Sequence, residues 1–460
     1  MTIIENNGRR LFGTDGIRGI ANIEPMTPES ILRLGRAVGS FFQTSGKHRH
    51  KVVIGKDTRI SGYMIETALA SGLTSMGIDV LLVGPMPTPG IAFLTRSLRA
   101  DAGVAISASH NAFDDNGIKF FGPDGFKLPD SAELEIENLV FGEEIDRMRP
   151  TAGGIGKAFR IEDADGRYNV FVKSAVPREV SFEGLRVVVD CANGAGHRIA
   201  PAVLVELGAE VTAIGNSPDG FNINDGCGAL HTELLSERVL REGAGLGLAL
   251  DGDGDRCVLI DELGEEADGD HMMAILALGM KKNGSLAKDT VVGTVMTNLG
   301  LEIALGEHGI SLIRTPVGDR YVVEKMREEG LNLGGEQSGH VVCLDHTTTG
   351  DGMITALAVA SAMLESGSPL SELKQVVTKF PQTLISVKVA QKRELMAVKE
   401  IASAVRNAEE LLGERGRVLL RYSGTEALAR VMVEGESVDT VTSQAQAIAD
   451  AVKGALGAHS

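Results

Sequence analysis

The chain has no tryptophan, and only 4% of its 460 residues are aromatic. Aromatic base-stacking platforms and broad aromatic interfaces are therefore excluded as its main means of recognition. Positive charge is also scarce: 45 lysines and arginines face 62 aspartates and glutamates, for a formal net charge of −17. Such a chain repels nucleic acid and anionic lipid. Its densest basic run, 47–51, precedes a strand pattern and reads as a solvated turn. The four cysteines, Cys191, Cys227, Cys257 and Cys343, never fall in CxxC spacing, which argues against a zinc site and a disulfide framework. No apolar run reaches the roughly 18–20 residues that span a bilayer. Residues 1–10 carry no apolar stretch of the secretory type. Together these absences predict a reduced, cytoplasmic protein with neither a nucleic-acid nor a membrane partner.

Glycine, by contrast, is plentiful at 57 residues, and it punctuates a repeated pattern. Residues 52–55 read as a buried strand, followed by a loop, a helix over 63–75 capped by Ser61, a stop at Gly77 and a strand over 78–84. The order recurs as strand 187–190, the Gly-bearing loop 193–196, a helix closed by Leu207-Gly208 and strand 209–215. It recurs again as strand 291–293, helix 299–307, stop His308-Gly309 and strand 310–313. Strand, helix, parallel strand is one crossover unit, and three copies predict three related α/β domains. The tail is different: strand 384–389, helix 394–412, strands 417–421 and 429–434 and a final helix predict a smaller α+β domain. The implied boundaries are 1–155, 156–260, 261–378 and 379–460.

The reactive residues gather in loops. Ser109, His110 and Asn111 stand side by side after the apolar run 103–106, and Lys119 follows ten residues after the serine. These groups suit either a hydrolytic arrangement with histidine as base or a phosphoryl carrier; an ordinary polar turn is the bland reading. Asp251, Asp253 and Asp255 alternate with glycines between two apolar runs. Three carboxylates so close need a cation to stay ionised, and hard oxygen ligands favour Mg²⁺ or Ca²⁺. An EF-hand loop begins the same way, with Glu262 at its twelfth position. However, Arg256 stands where that loop needs glycine, and the flanks read as strands. Arg256 either neutralises the acids or reaches for a phosphate. Glu336, Ser338 and His340, in a Gly-framed loop, are groups that read sugar hydroxyls. Arg421, Ser423, Gly424 and Thr425, with Arg430 nearby, form a phosphate nest that needs no metal. Arg18 lies on the Gly-rich turn 12–19. One such loop per domain predicts a small-ligand cleft between domains.

In order along nearly the whole chain, these motifs resemble those of the α-D-phosphohexomutase superfamily. The matching stretches are 11–19, 115–121, 335–340 and 348–352, and Gln337 points to the branch that acts on glucosamine phosphates. The resemblance implies three related α/β domains with mixed sheets plus a C-terminal α+β domain resembling the TATA-binding protein fold. It implies interconversion of glucosamine 6-phosphate and glucosamine 1-phosphate, on the route to UDP-N-acetylglucosamine. A phosphomannomutase/phosphoglucomutase of broader sugar range is the alternative. Ser109 would carry a phosphoryl group, with glucosamine 1,6-bisphosphate as the intermediate. One Mg²⁺ would be held by Asp251, Asp253, Asp255 and phosphorylated Ser109. Lys119 would be the general acid/base, a role that calls for a depressed pKa, assisted by His110 and Arg18. Arg256, Glu336, Ser338 and His340 would bind substrate, and Arg421, Ser423, Gly424, Thr425 and Arg430 its phosphate. The partner implied is a small-molecule hexosamine phosphate, and a homodimer is compatible with the pattern. Two positions depart from the family. Ala112 stands where proline would preset the loop, which predicts a looser nucleophile loop, and Thr232 replaces a proline in the segment 227–233, read as structural.

Overall fold

A computed structural model describes residues 11–13, 15–43, 49–423 and 427–457. These fall into two compact units, a larger one within 5–294 and 313–376 and a smaller one formed by 295–312 and 377–457.

The larger unit contains three sheets. The first is six-stranded, in the order Ile17–Ile20, Asp115–Phe121, Ala102–Ile106, Lys51–Lys56, Asp79–Pro85, Ala158–Arg160. Lys51–Lys56 runs parallel to both of its neighbours, as the crossover pattern requires. Its residues 52–54 are wholly buried because helices cover both faces of the parallel part. Ala102–Ile106 and Asp115–Phe121 instead form an antiparallel hairpin, with Ala105 opposite Lys119. The second sheet pairs Arg186–Asp190 in parallel with Glu210–Ile214 and with Leu246–Leu250, which turns back antiparallel into Cys257–Ile260. In the third, Thr290–Thr294 runs parallel to Leu333–Gly335, which turns back into Val341–Cys343. The three sheets share one device: an antiparallel return strand. The turn before that strand is residues 107–114 in the first sheet, 251–256 in the second and 336–340 in the third. Three candidate loops thus occupy equivalent places in three related sheets.

One expected cap is not formed. The helix Ser61–Ser75 includes Ser61 as its first residue, and Ile60 precedes it without a side-chain cap. The Ser61 hydroxyl instead accepts from Asn116 Nδ2 at 2.8 Å, joining the helix to the strand that carries Lys119.

In the smaller unit, Gln382–Lys388, Leu428–Gly435 and Gly416–Tyr422 form an antiparallel sheet. Helices Lys399–Leu412 and Val438–Leu456 contribute Ile401, Val405, Ile448 and Val452 to its core. The first of these helices was expected from 394. Extended backbone at Val398 delays its start, and a short 3₁₀ turn precedes it. The helix Leu299–Glu307 belongs to this unit, capped by Asn298, whose amide also bonds both backbone groups of Phe380. Among the described residues no single helix is long and apolar enough to cross a membrane.

Candidate active site

Ser109 is 1% exposed and adopts φ +54°, a left-handed conformation that a non-glycine residue keeps only when its surroundings hold it. They do. Its amide donates to Ser107 Oγ at 2.9 Å, and Ser107 in turn donates to Asp57 Oδ2 at 2.5 Å. Its carbonyl accepts from Arg59 Nη2 at 3.0 Å and Asn224 Nδ2 at 2.9 Å. Arg59, fully buried, also donates to the carbonyls of Asn111 and Ala112 and to Asp57. The loop that Ala112 was expected to loosen is thus tied down from outside. The Ser109 hydroxyl donates to Asp251 Oδ2 at 2.6 Å, across 142 residues of chain, and lies 3.2 Å from His110 Nδ1. Burial, with Arg256 and Arg18 nearby, pushes the His110 pKa down to about 4, so the ring is neutral near pH 7.

Asp251, Asp253 and Asp255 are all buried, each with a carboxylate oxygen within 4.8 Å of the others'. The loop that carries them joins two strands, so the helix–loop–helix of an EF-hand is absent, and Glu262 is engaged by Ser371 instead. Burial and its two acidic neighbours push Asp251 well above the carboxylate range. Asp253 Oδ1 and Asp255 Oδ1 are buried without a hydrogen-bond partner. Two unsatisfied carboxylate oxygens beside a third acid are the signature of a cation site, so these residues fit a hard divalent ion. Thr88 sets the loop's position by donating its amide to the Asp253 carbonyl at 2.9 Å and its hydroxyl to Asp253 Oδ2 at 2.7 Å. Gly252 lets the two loops meet: a Cβ there would sit 2.6 Å from the Ser109 carbonyl oxygen.

Lys119 is 2% exposed, with its ammonium 3.1 Å from Asp253, 3.4 Å from Asp255 and 3.3 Å from Asp15. Burial alone would lower its pKa, but the three carboxylates outweigh burial and hold it well above the usual lysine value. The depressed pKa expected of a general base is therefore not what this geometry produces; Lys119 is held as a cation. Arg18 pairs with Asp15 at 2.6 Å, and its buried Nε has no hydrogen-bond partner. Arg256 lies 3.8 Å from Asp255, also with an unpartnered buried Nε.

In the third loop Glu336 is half-buried, Ser338 exposed and His340 buried. Glu336 Oε1 accepts from the Gly318 amide at 3.0 Å. His340 accepts from the Gly350 amide at Nε2 and lies 3.6 Å from Asp255 and 3.4 Å from Asp319. It therefore braces neighbouring loops. Gly339, at φ +89°, lies so close to Cys257 that a Cβ would be 2.0 Å from its carbonyl oxygen.

In the smaller unit, Arg421 and Arg430 face each other directly across the two strands. Burial and the second guanidinium lower the Arg421 pKa. Like charges opposed across a sheet destabilise it, and an anion between them relieves that repulsion. Ser423 is buried beside them, and Lys392 donates to its carbonyl at 2.8 Å. Gly424 and Thr425 lie outside the described residues.

Comparison with known proteins identifies the lineage. Four family descriptions match in order: phosphoglucomutase/phosphomannomutase alpha/beta/alpha domain I over residues 9–146, domain II over 167–264, domain III over 268–380 and the C-terminal domain over 384–451. A phosphoglucosamine mutase of Syntrophotalea carbinolica is 58% identical over 98% of this chain and 98% of its own. That of Geobacter metallireducens is 56% identical, over 98% and 99%. The chain belongs to the phosphoglucosamine mutase family, within the α-D-phosphohexomutases. Among solved structures, a phosphoglucomutase/phosphomannomutase family protein of Burkholderia thailandensis aligns at a TM-score of 0.79 with 24% identity, covering 96% of this chain and 97% of that one. The N-acetylphosphoglucosamine mutase of Aspergillus fumigatus, solved with GlcNAc-6P and magnesium, aligns at 0.64 with 17% identity over 96% of each chain. Both likenesses concern the fold.

A phosphoglucosamine mutase is an isomerase, and the multi-domain α/β fold agrees with that assignment. Several residues of this family member escaped sequence reasoning. Asp15, Asp57, Arg59, Thr88, Lys127, Asn224 and Asp319 all bear on the site, yet none sits in a pattern that names a chemistry. The one usable signal was position: Arg59 and Lys127 each lie in a short polar segment next to an apolar run.

Proposed function

We propose that this isomerase interconverts glucosamine 6-phosphate and glucosamine 1-phosphate through phosphorylated Ser109 and glucosamine 1,6-bisphosphate. The observation that carries the reading is the buried Ser109 hydroxyl, held at positive φ and bonded at 2.6 Å to one of three converging carboxylates. A serine so placed is fixed in aim, while acceptors for a cation lie at the same point. Phosphoserine 109 gives its phosphoryl group to the free hydroxyl of the substrate. The P–Oγ bond breaks as the new P–O bond forms; the hydroxyl proton passes to neutral His110, and the serine oxygen takes a proton from Lys119. The bisphosphate turns around and returns its other phosphate to Ser109. Asp251, Asp253 and Asp255 would hold Mg²⁺ together with a phosphoserine oxygen; when bound, the ion offsets charge on the transferring group.

Lys119, paired with Asp15 and lying beside two of the carboxylates that would hold the ion, suits donation of a proton to the departing oxygen and neutralisation of phosphoryl charge. As a base it acts only after those carboxylates release it. Neutral His110, beside Oγ, is the nearer proton acceptor. Arg18 and Arg256 present buried Nε groups that make no hydrogen bond and suit phosphate oxygens. Glu336 and Ser338 read hydroxyls common to both orientations. Arg421, Ser423, Gly424, Thr425 and Arg430 hold the phosphate that is not reacting, and the opposed arginines support that role.

The test is Ser109→Ala, assayed in both directions and by intact mass. The expected result is a phosphate on wild-type Ser109, none on the variant, and no turnover by the variant. A chelator should also stop the wild-type enzyme, with Mg²⁺ restoring it. A fully active alanine variant defeats the mechanism. Equal turnover of glucose or mannose phosphates would defeat the narrower substrate assignment.

A further inference from the structure

We propose that Lys127 is a positioning residue for the phosphoryl transfer, holding Lys119 on one side and the 336–340 loop on the other through a closed ring of buried and half-buried groups. Starting at Lys119, the ring passes to Asp15 at 3.3 Å, Lys127 at 2.5 Å, Asp319 at 2.6 Å, His340 at 3.4 Å and Asp255 at 3.6 Å, and returns to Lys119 at 3.4 Å. Its members come from six separate stretches of chain, including the acidic loop and the sugar-loop turn. The inference rests on the proposal that Lys119 serves the transfer.

Lys127 is the one basic member away from the acidic loop. Its backbone is pinned to the strand that carries Lys119: it bridges Phe121, and the Leu128 amide donates to the Phe120 carbonyl at 3.1 Å. Its side chain is 15% exposed and that of Asp319 12%, so the pair is far more buried than the surface ion pairs that contribute little.

Removing the ammonium acts in two directions. Asp15 divides its oxygens, with Oδ1 on Lys127 and Oδ2 shared by Lys119 and Arg18. A freed Oδ1 competes for the Lys119 ammonium and draws it away from Asp253 and Asp255. On the other side, Asp319 would then face Asp15 across the vacated space, and two carboxylates with little solvent between them repel. Asp319 begins the helix Asp319–Glu329, and the Gly318 amide just before it holds Glu336. One lysine therefore governs the aim of the proton-moving group and the seat of a sugar-reading carboxylate.

The test compares Lys127→Met, Lys127→Arg, Asp319→Asn and the double variant Lys127→Met/Asp319→Asn by kcat, KM and thermal midpoint. Lys127→Met and Asp319→Asn should each lower kcat about 10–100-fold with KM little changed. Lys127→Arg should recover most of the loss. The double variant should be no slower than the slower single, because both break the same ring. A rise in KM with kcat intact would make Lys127 a substrate ligand and overturn the proposal, as would losses that multiply. If Lys127→Met does not fold, the folded Asp319→Asn decides: wild-type turnover there overturns the proposal. Lys119→Met is measured alongside. If it is fully active, the role given to Lys119 fails and the inference with it; if it is inactive while Lys127→Met is fully active, only the inference fails.

Discussion

Arg59→Met is the most informative single substitution in the nucleophile loop. Arg59 is fully buried and donates to Asp57 and to the carbonyls of Ser109, Asn111 and Ala112. Two of those carbonyls, of Ser109 and Asn111, keep a donor in Asn224 Nδ2 at 2.9 and 3.0 Å. The Ala112 carbonyl loses its guanidinium, but this residue is exposed and water can take the place of the lost donor, so that loss adds little. The larger loss is at Asp57, whose counter-ion disappears. Breaking a buried pair from one side costs about 3–5 kcal/mol. Asp57 retains the Ser107 hydroxyl and the residue-59 amide, and burial already pushes its pKa up, so protonation relieves part of the charge. A net loss of about 3–4 kcal/mol is expected, near the lower end of that range. The readout is the shift of the urea transition, with phosphate on Ser109 measured in the same samples. Arg59→Met/Asp57→Asn should be more stable than Arg59→Met, because no buried charge is left alone. Arg59→Lys should restore stability more than turnover, because a single ammonium neutralises Asp57 but does not span the loop carbonyls. A loss below about 1 kcal/mol, or a double variant as unstable as the sum of the singles, refutes the reasoning.

Gly252→Ala places a Cβ 2.6 Å from the Ser109 carbonyl oxygen and 2.8 Å from Asn224 Nδ2, so the nucleophile loop must move. The expected cost is about 1–3 kcal/mol of stability and about a hundredfold in turnover, and wild-type kinetics would exclude the close contact. His110 concerns pH. Its folded-state pKa of about 4 lies below the ordinary 6.5, so between those values the unfolded chain binds more protons than the folded one. The stability this supplies is complete above pH 6.5 and is lost as pH falls through 4. His110→Gln should therefore lose less of its thermal midpoint than wild type on acidification across that window; equal losses would show that His110 does not titrate this way.

The three α/β repeats, the Gly-framed polar loops and the acidic triad were legible because each is local. Apolar runs closed by glycines mark strands and helix ends, and alternating Asp-Gly needs no long-range information to suggest a cation site. The resemblance added the role of Ser109, which Ser-His-Asn alone left open between hydrolysis and phosphoryl carriage. What local reasoning missed depends on partners distant in sequence. Nothing around Arg59 announces that it will hold three carbonyls fifty residues later, and Lys127 and Asp319 meet across 192 residues. Nothing near His340 in the sequence announces that it will lie between Asp255 and Asp319. Ser61 was expected to cap a helix, and Asn116 claims its hydroxyl instead. The protonation of Lys119 shows the division most clearly. Its identity and its distance from Ser109 stand in the sequence, but its pKa does not. Burial pulls that pKa down and three converging carboxylates pull it up, and only the fold brings Asp15, Asp253 and Asp255 close enough for the second effect to win. Sequence determined which chemical groups this protein has and on which loops they sit. Tertiary structure decided which of them touch and which are charged, because Coulomb energy and desolvation depend on distance and burial rather than on order along the chain.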